Sequence, residues 1–276
     1  KTLVGIMQST MDNPTTAVNK SDLTRIVTID LETKKVKQYL YKQEGGAKAY
    51  SNSAITALSN TSFLVLERDG DFYRDNPSAF KRVYKIDLRN ATNLEDIAET
   101  AQIKQDAKLG LTIDGQTLEQ YVLAKGWDGL KTQGILPPTK TFVLDMIEKV
   151  KFPHDKMEGL WLIDDKRLGL INDDDFALWV TNGVLEQKYL DQDKKKIDSN
   201  TLYIIDGLDL KAVTVSVSED YIEYGTGLAI EIPYGFAAFI FPRSSISNYS
   251  FIFANSVDVV DPGYKAPLKV PFQPIG

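Results

Sequence analysis

Apolar and polar residues alternate with a period of two over much of the first two hundred positions, the spacing of half-buried β-strands. From Thr24 to Leu31 the residues Val27, Ile29 and Leu31 fall on one face. Glu32-Thr33-Lys34-Lys35 makes a turn and Val36 to Tyr41 returns, which predicts a hairpin. Ser62 to Leu66 is a nearly continuous apolar run, the pattern of a strand buried on both faces. Lys81 to Leu88 alternates again, with Tyr84, Ile86 and Leu88 together. Gly159 to Ile163 and Leu168 to Ile171 flank the polar Asp164-Asp165-Lys166-Arg167 and predict a second hairpin. The period changes to 3.6 once: Leu118, Tyr121, Val122 and Lys125 follow Asp114-Gly115-Gln116-Thr117, and Gly126 closes the predicted helix. Asn93 to Gln105 is read as a second helix. Short, evenly spaced strands without an exact repeat predict antiparallel sheets arranged as propeller blades or as a sandwich.

Composition narrows the chemistry. The chain has 276 residues, 43% hydrophobic and 25% charged, enough for one large or two modest globular domains. The net charge of −6 gives no support for a nucleic-acid surface, and a phosphate ligand here needs local positive charge or a metal ion. There are no cysteines, which excludes disulfides, thiolate catalysis and cysteine-based zinc sites. His154 is the only histidine, so a multi-histidine metal site within one chain is excluded; beside Phe152-Pro153 it reads as a loop residue without a catalytic role. Trp127, Trp161 and Trp179 read as packing residues rather than the lining of a ligand cleft. No apolar run approaches the ~18 residues of a membrane span. The chain begins at Lys1 rather than Met and ends without a terminating signal, so both ends are expected to be cut.

Two groups of residues carry candidate chemistry. Glu67-Arg68-Asp69-Gly70-Asp71 and Asn172-Asp173-Asp174-Asp175 each follow an apolar strand. Oxygen-rich loops of this kind suit a hard cation such as Ca²⁺, with Glu67, Asp69, Asp173, Asp174 and Asp175 as candidate ligands; as solvated turns they need no ion. Near the C-terminus, Leu228, Ile230 and Ile232 alternate, Pro233-Tyr234-Gly235 turns, and Phe236 to Phe241 returns toward Pro242-Arg243-Ser244-Ser245-Ile246. An Arg and two hydroxyls at a strand end match phosphate oxygens. Asn255, Asp261 and Tyr264 follow closely. The dense charge of Asp191 to Asn200 marks the expected boundary between the two parts.

The later segments Gly207-Leu208-Asp209-Leu210-Lys211-Ala212, Gly227-Leu228-Ala229-Ile230-Glu231-Ile232-Pro233, Pro242-Arg243-Ser244-Ser245-Ile246 and Asp261-Pro262-Gly263-Tyr264 resemble, in order and spacing, the first three motifs of trimeric dUTP pyrophosphatases (dUTPases). The resemblance implies that Arg243, Ser244 and Ser245 hold a triphosphate with Mg²⁺. Asn255 would read the uracil edge and Tyr264 would pack on the deoxyribose. Asp261 would act as general base, and Asp209 would organise the surrounding water and metal. It also implies a homotrimer. Asp258 stands where that family usually has glycine.

Residues 1–205 carry a second resemblance. Leu3-Val4-Gly5-Ile6-Met7-Gln8-Ser9, Phe63-Leu64-Val65-Leu66-Glu67-Arg68-Asp69, Arg82-Val83-Tyr84-Lys85-Ile86-Asp87-Leu88, Glu158-Gly159-Leu160 and Leu170-Ile171-Asn172-Asp173-Asp174-Asp175-Phe176 resemble the phytase-like family labelled esterase-like activity of phytase. That resemblance implies a propeller-like fold and an exported protein. The expectation is therefore an all-β chain: a partial β-propeller-like domain over residues 1–200, followed by a truncated dUTPase-like β domain over 206–276, joined as a natural fusion or a chimera. Two functions follow. One is Mg²⁺-dependent hydrolysis of dUTP to dUMP and pyrophosphate, in a cytoplasmic protein. The alternative is an exported phytase-like protein that binds Ca²⁺ or hydrolyses phosphate esters through its acidic loops; a catalytically inert scaffold is the third.

Overall fold

The computed structural model describes residues 1–46 and 49–210 and, beyond them, the strand residues 222–225, 238–240, 251–253, 258–260 and 269–274. Contacts divide the chain into two units: Thr2–Asp30 with Lys35–Thr214, and Val215–Gly276 with Lys1 and Leu31–Lys34.

In the larger unit, β1 (Thr2–Ile6), β2 (Leu23–Asp30) and β3 (Val36–Lys42) form an antiparallel sheet in chain order. A meander of β4 (Ser51–Ala57), β5 (Ser62–Arg68) and β6 (Lys81–Asp87) follows. An insertion then adds the small sheet of β7 (Ile103–Asp106), β8 (Gly110–Ile113) and β9 (Gln116–Thr117), with α1 (Leu118–Thr132). The chain returns as β10 (Thr139–Asp145) to pair with β6, giving the order β10-β6-β5-β4. After α2 (Met146–Val150) come the hairpin β11 (Met157–Leu162) and β12 (Leu168–Asn172), and the hairpin β13 (Leu178–Thr181) and β14 (Val184–Gln187). β15 (Leu202–Ile205) then adds to the edge of β12.

In the smaller unit the described backbone forms five strands: β16 (Ile222–Gly225), β17 (Ala238–Ile240), β18 (Phe251–Phe253), β19 (Asp258–Val260) and β20 (Lys269–Pro274). β20 pairs with β16 and β18, and β17 with β19 in the register Ala238↔Val260 to Ile240↔Asp258. The proposed hairpin partner at 228–232 lies outside the described residues.

Strand accounts for 40% of the residues and helix for 14%, so the chain is mostly β, as its alternation predicts. The sheets are several and small.

The core shows why β5 reads as continuous. Phe63 and Val65 pack with Ile26, Tyr39, Tyr41 and Ile86 on one face of its sheet. Leu64 and Leu66 pack with Leu58, Val83, Phe152 and Leu168 on the other. A strand covered on both sides has no position left for polar residues until its end. The same two-sided cover explains the first half of β2, where Leu23, Thr24, Arg25 and Ile26 are all buried; beyond it Thr28 is buried, while Val27 and Ile29 on the predicted face are half-buried.

The helix begins where predicted. The Thr117 hydroxyl accepts from the Gln120 N–H, and the Gln120 side chain accepts from the Thr117 N–H, a closed capping box. Gly126 breaks the helical backbone at φ 68°, ψ −178°, but helix resumes to Thr132 and carries Leu130 into a third core with Leu94, Leu111 and Leu118. The second helix expected over Asn93 to Gln105 does not form. The Asn93 side-chain Oδ1 accepts from the Glu95 and Gln38 N–H groups, and the Thr100 hydroxyl from those of Gln102 and Ile103. Side chains that capture nearby backbone donors compete with helix; a single 3₁₀ turn at Leu94–Asp96 is all that remains, and Ile103 opens β7 opposite Ile113.

Candidate functional site

The first acidic loop grows out of the end of β5. Glu67 is buried there, and its carboxylate accepts from the Tyr41 hydroxyl, the Lys140 ammonium and, at 3.0 Å, the Glu44 N–H. Burial first, and then the charge and hydrogen bond of Glu67, push the Tyr41 phenol well above its usual range. Asp69, just past the strand, holds the Lys81 ammonium, the Phe80 N–H at 2.7 Å and the Asp71 N–H at 3.3 Å. Lys81 is fully buried, and burial lowers its pKa against the opposing pull of Asp69. A Ca²⁺ ion at this loop would have to compete with two lysines.

The second acidic loop leaves β12. Asp173 accepts from the Asp175 N–H at 2.9 Å. Asp174 accepts from the Phe176 N–H at 2.9 Å and the Asn200 N–H at 3.2 Å. These bonds hold Asp175, Phe176 and Ala177 in three successive left-handed conformations, at φ 50°, 61° and 57°. Asp175 turns toward Lys156, at 2.6 and 2.7 Å, and Lys188, at 2.6 Å. Burial works to raise the Asp175 pKa, but the two lysines outweigh it and hold the carboxyl below its ordinary value. Among the described residues no three acidic or histidine side chains converge in a metal-binding arrangement.

Asp175 is the outer member of a buried polar network absent from the sequence reading. Lys188 follows β14, is 1% exposed, and also reaches Asp155 Oδ2 at 3.0 Å. Next to Asp155, His154 sits in a loop as predicted but is completely buried. Its Nδ1 donates to Asp198 Oδ1 at 2.6 Å, and its Nε2 accepts the Tyr203 hydroxyl at 2.9 Å. This is the tautomer that a carboxylate and a phenol together select. Burial, then the Asp198 charge, raises the Tyr203 pKa to about 12, so its hydroxyl remains a donor. Asn172 closes the network by donating to the Ser199 carbonyl at 3.2 Å and accepting from the Thr201 N–H at 2.7 Å. The charge-dense segment at 191–200 is thus anchored at its end by Asp198, which is fully buried. Residues 44 and 49 positions from His154 supply its partners, a separation that leaves no local sequence signal.

Of the tryptophans, Trp127 packs against the third core and donates to Asp22 at 2.8 Å. Trp161 and Trp179 are each 38% exposed; Trp179 meets Phe72 edge-on.

Of the phosphate-site candidates, Asp209 is described and exposed, between two residues that pack inward. Leu208 and Leu210 donate their N–H groups to the carbonyls of Lys166 and Asp165, at 3.0 and 2.9 Å, and Leu210 is fully buried among Leu66, Phe152 and Leu168. Arg243, Ser244, Ser245, Asn255, Asp261 and Tyr264 lie outside the described residues. The described backbone of β17 ends three residues before Arg243, and that of β19 directly before Asp261.

Antiparallel sheets packed on both faces, with lysine–carboxylate pairs at their strand ends, define a β-rich domain with several buried charge networks. Residues 1–176 match the phytase-like family described as esterase-like activity of phytase, and the chain belongs to that family. An 81-residue stretch is 37% identical to the SPbeta prophage-derived deoxyuridine 5'-triphosphate nucleotidohydrolase YosS of Bacillus subtilis (strain 168), covering 28% of this chain and 56% of that relative. The chain thus spans about half the length of the curated relative it matches. No solved structure matches it. No helix among the described residues is long and apolar enough to cross a membrane.

Proposed function

We propose that the chain is a phosphate-anhydride hydrolase of the dUTPase type, acting through its C-terminal segment on dUTP to give dUMP and pyrophosphate. The observation that carries this reading is the 37% identity over 81 residues to a deoxyuridine triphosphate nucleotidohydrolase, together with the ordered motifs between Gly207 and Tyr264. The donor set suits the reaction. Arg243, Ser244 and Ser245 offer a guanidinium fork and hydroxyls to phosphate oxygens. Asp209, exposed at the end of the larger unit, offers the carboxylate oxygens that a hard cation such as Mg²⁺ takes. When bound, Mg²⁺ offsets phosphate charge that a chain of net charge −6 would otherwise repel. Asp261 takes the proton of the attacking water, Asn255 orients the base and Tyr264 packs on the sugar. The reading includes a homotrimer.

The test is pyrophosphate release from dUTP with Mg²⁺, run beside dTTP and the Asp261→Asn variant. Selective release that is lost in the variant supports the proposal; no release, or release unchanged by the substitution, refutes it. The family match over residues 1–176 favours a second reading, phosphate-ester hydrolysis by the larger unit. Phosphate release from ester substrates by a chain carrying Asp261→Asn tests that reading separately.

A further inference from the structure

A cavity of about 600 Å³ opens in the larger unit, between the segment Met11–Pro14, the sheet of β2 and β3, the β7–β8 hairpin and the first residue of α1. Its volume falls in the range of small-molecule sites. Leu94, Leu111 and Leu118, which belong to the third core, supply its apolar wall.

The polar groups on the lining differ in what they have left to offer. Arg25 is 9% exposed, and one of its terminal nitrogens, Nη1, pairs with the fully buried Glu119 and contacts the Met11 sulfur at 3.2 Å. The remaining guanidinium N–H groups of Arg25 have no partner among the described residues. The Lys108 ammonium likewise makes no hydrogen bond or ion pair there; its neighbour Asp106 is taken by the N–H groups of Lys108 and Leu109, at 2.8 and 2.9 Å. Each acid on the lining or beside it has at least one partner. Glu119 holds Arg25 and Asn13, Glu95 accepts from Gln38 at 2.6 Å, and Asp12 has a partner of its own. Two cations on the lining thus keep donors without a partner among the described residues, one of them buried and fixed by its own carboxylate. A guanidinium held in this way presents its free edge at little entropic cost, and an anion is the ligand that completes it.

We propose that this cavity binds a small organic anion, a carboxylate or phosphate monoester on an apolar body: the anionic group meets Arg25 and Lys108, and the body lies against Leu94, Leu111 and Leu118. The site lies within residues 11–118 and does not rest on dUTP hydrolysis.

The experiment is calorimetric titration of the whole chain with phenyl phosphate, benzoate, phenol and inorganic phosphate. A preorganised contact of this size gives a Kd on the order of 1 mM for at least one of the two aromatic anions. Lys108→Ala should weaken binding about threefold, the size of one exposed charge contact. Gln105→Trp, on the exposed rim, should weaken it about tenfold by filling the mouth. Arg25→Met/Glu119→Leu, which removes the buried pair together, should abolish binding while leaving a cooperative melt. Both side chains of the rim variants are exposed, so the test stands even if the double variant does not fold. Saturation by one aromatic anion alone supports the proposal and identifies the anionic group. Equal binding of phenol, equal binding of inorganic phosphate, no saturation, or indifference to both rim substitutions would each overturn it.

Discussion

Lys188→Met isolates the energetic role of the buried network. The substitution keeps most of the apolar stem and removes the ammonium that bridges Asp155 at 3.0 Å and Asp175 at 2.6 Å. The two acids respond differently. Asp175 is one-third exposed and keeps Lys156, so its loss is small. Asp155 is 9% exposed, and its other oxygen, Oδ1, already lacks a partner, so the substitution leaves a buried carboxylate with no cation. Removing one member of a buried pair costs ~3–5 kcal/mol, and the lower end applies because Asp155 keeps some solvent contact. For a unit of this size, about 3 kcal/mol corresponds to a melting temperature lower by roughly 6–12 °C.

The assay is urea unfolding followed by tryptophan fluorescence, with Trp179 as a local reporter because Lys188 Nζ lies 5.7 Å from its ring centroid. The double variant Lys188→Met/Asp155→Leu should recover more than half of the loss, since it removes the stranded charge as well. Acid titration gives a third arm. Asp175 has a lowered pKa when folded, so its contribution is present above the ordinary carboxylate range and is lost as the pH falls through the lowered value. In the variant one of the two lysines that lower it is gone, and that acid-side loss should be smaller. A destabilisation below about 1 kcal/mol, or a double variant no better than the single, would refute the reasoning.

Further outcomes follow from the same geometry. Leu210→Ala should destabilise the larger unit by ~2–5 kcal/mol in urea unfolding, because this residue of the first nucleotide-type motif is fully buried in its core; an effect below about 1 kcal/mol would remove Leu210 from that core. Gly126→Ala should cost ~1–3 kcal/mol despite the open space around it, since φ 68° with ψ −178° is a conformation essentially reserved for glycine; a neutral result by thermal melting would mean that the helix straightens freely. Tyr203 has a folded pKa of about 12 against 10.0 when free, so the stability it confers is complete below pH 10.0 and is lost as the pH rises to about 12. Tyr203→Phe should flatten that alkaline decline in stability measured against pH.

Local pattern decided much of this fold. The hairpins at residues 23–42 and 157–172, the buried strand at 62–68 and the start of the helix at Leu118 follow from period and capping residues, because neighbouring residues in such elements satisfy one another. Membership of a phytase-like family was legible in short strand-and-loop segments for the same reason. Tertiary structure decided what local pattern could not. Whether Ile26 or Val27 faced the deeper core depended on a second layer covering β2. The supposed helix at 93–105 gave way because Ile103 had a strand partner ten residues later and two side chains took the local N–H groups. The acidic runs read either as cation ligands or as solvated turns; only the fold brings the lysines at positions 81, 140, 156 and 188 to them. His154 read as an ordinary loop residue because Asp198 and Tyr203 come from far along the chain. Sequence determines which groups are available and how each short segment folds; only the packed chain determines which distant charge is buried beside which, because that choice is made by desolvation and not by neighbouring residues.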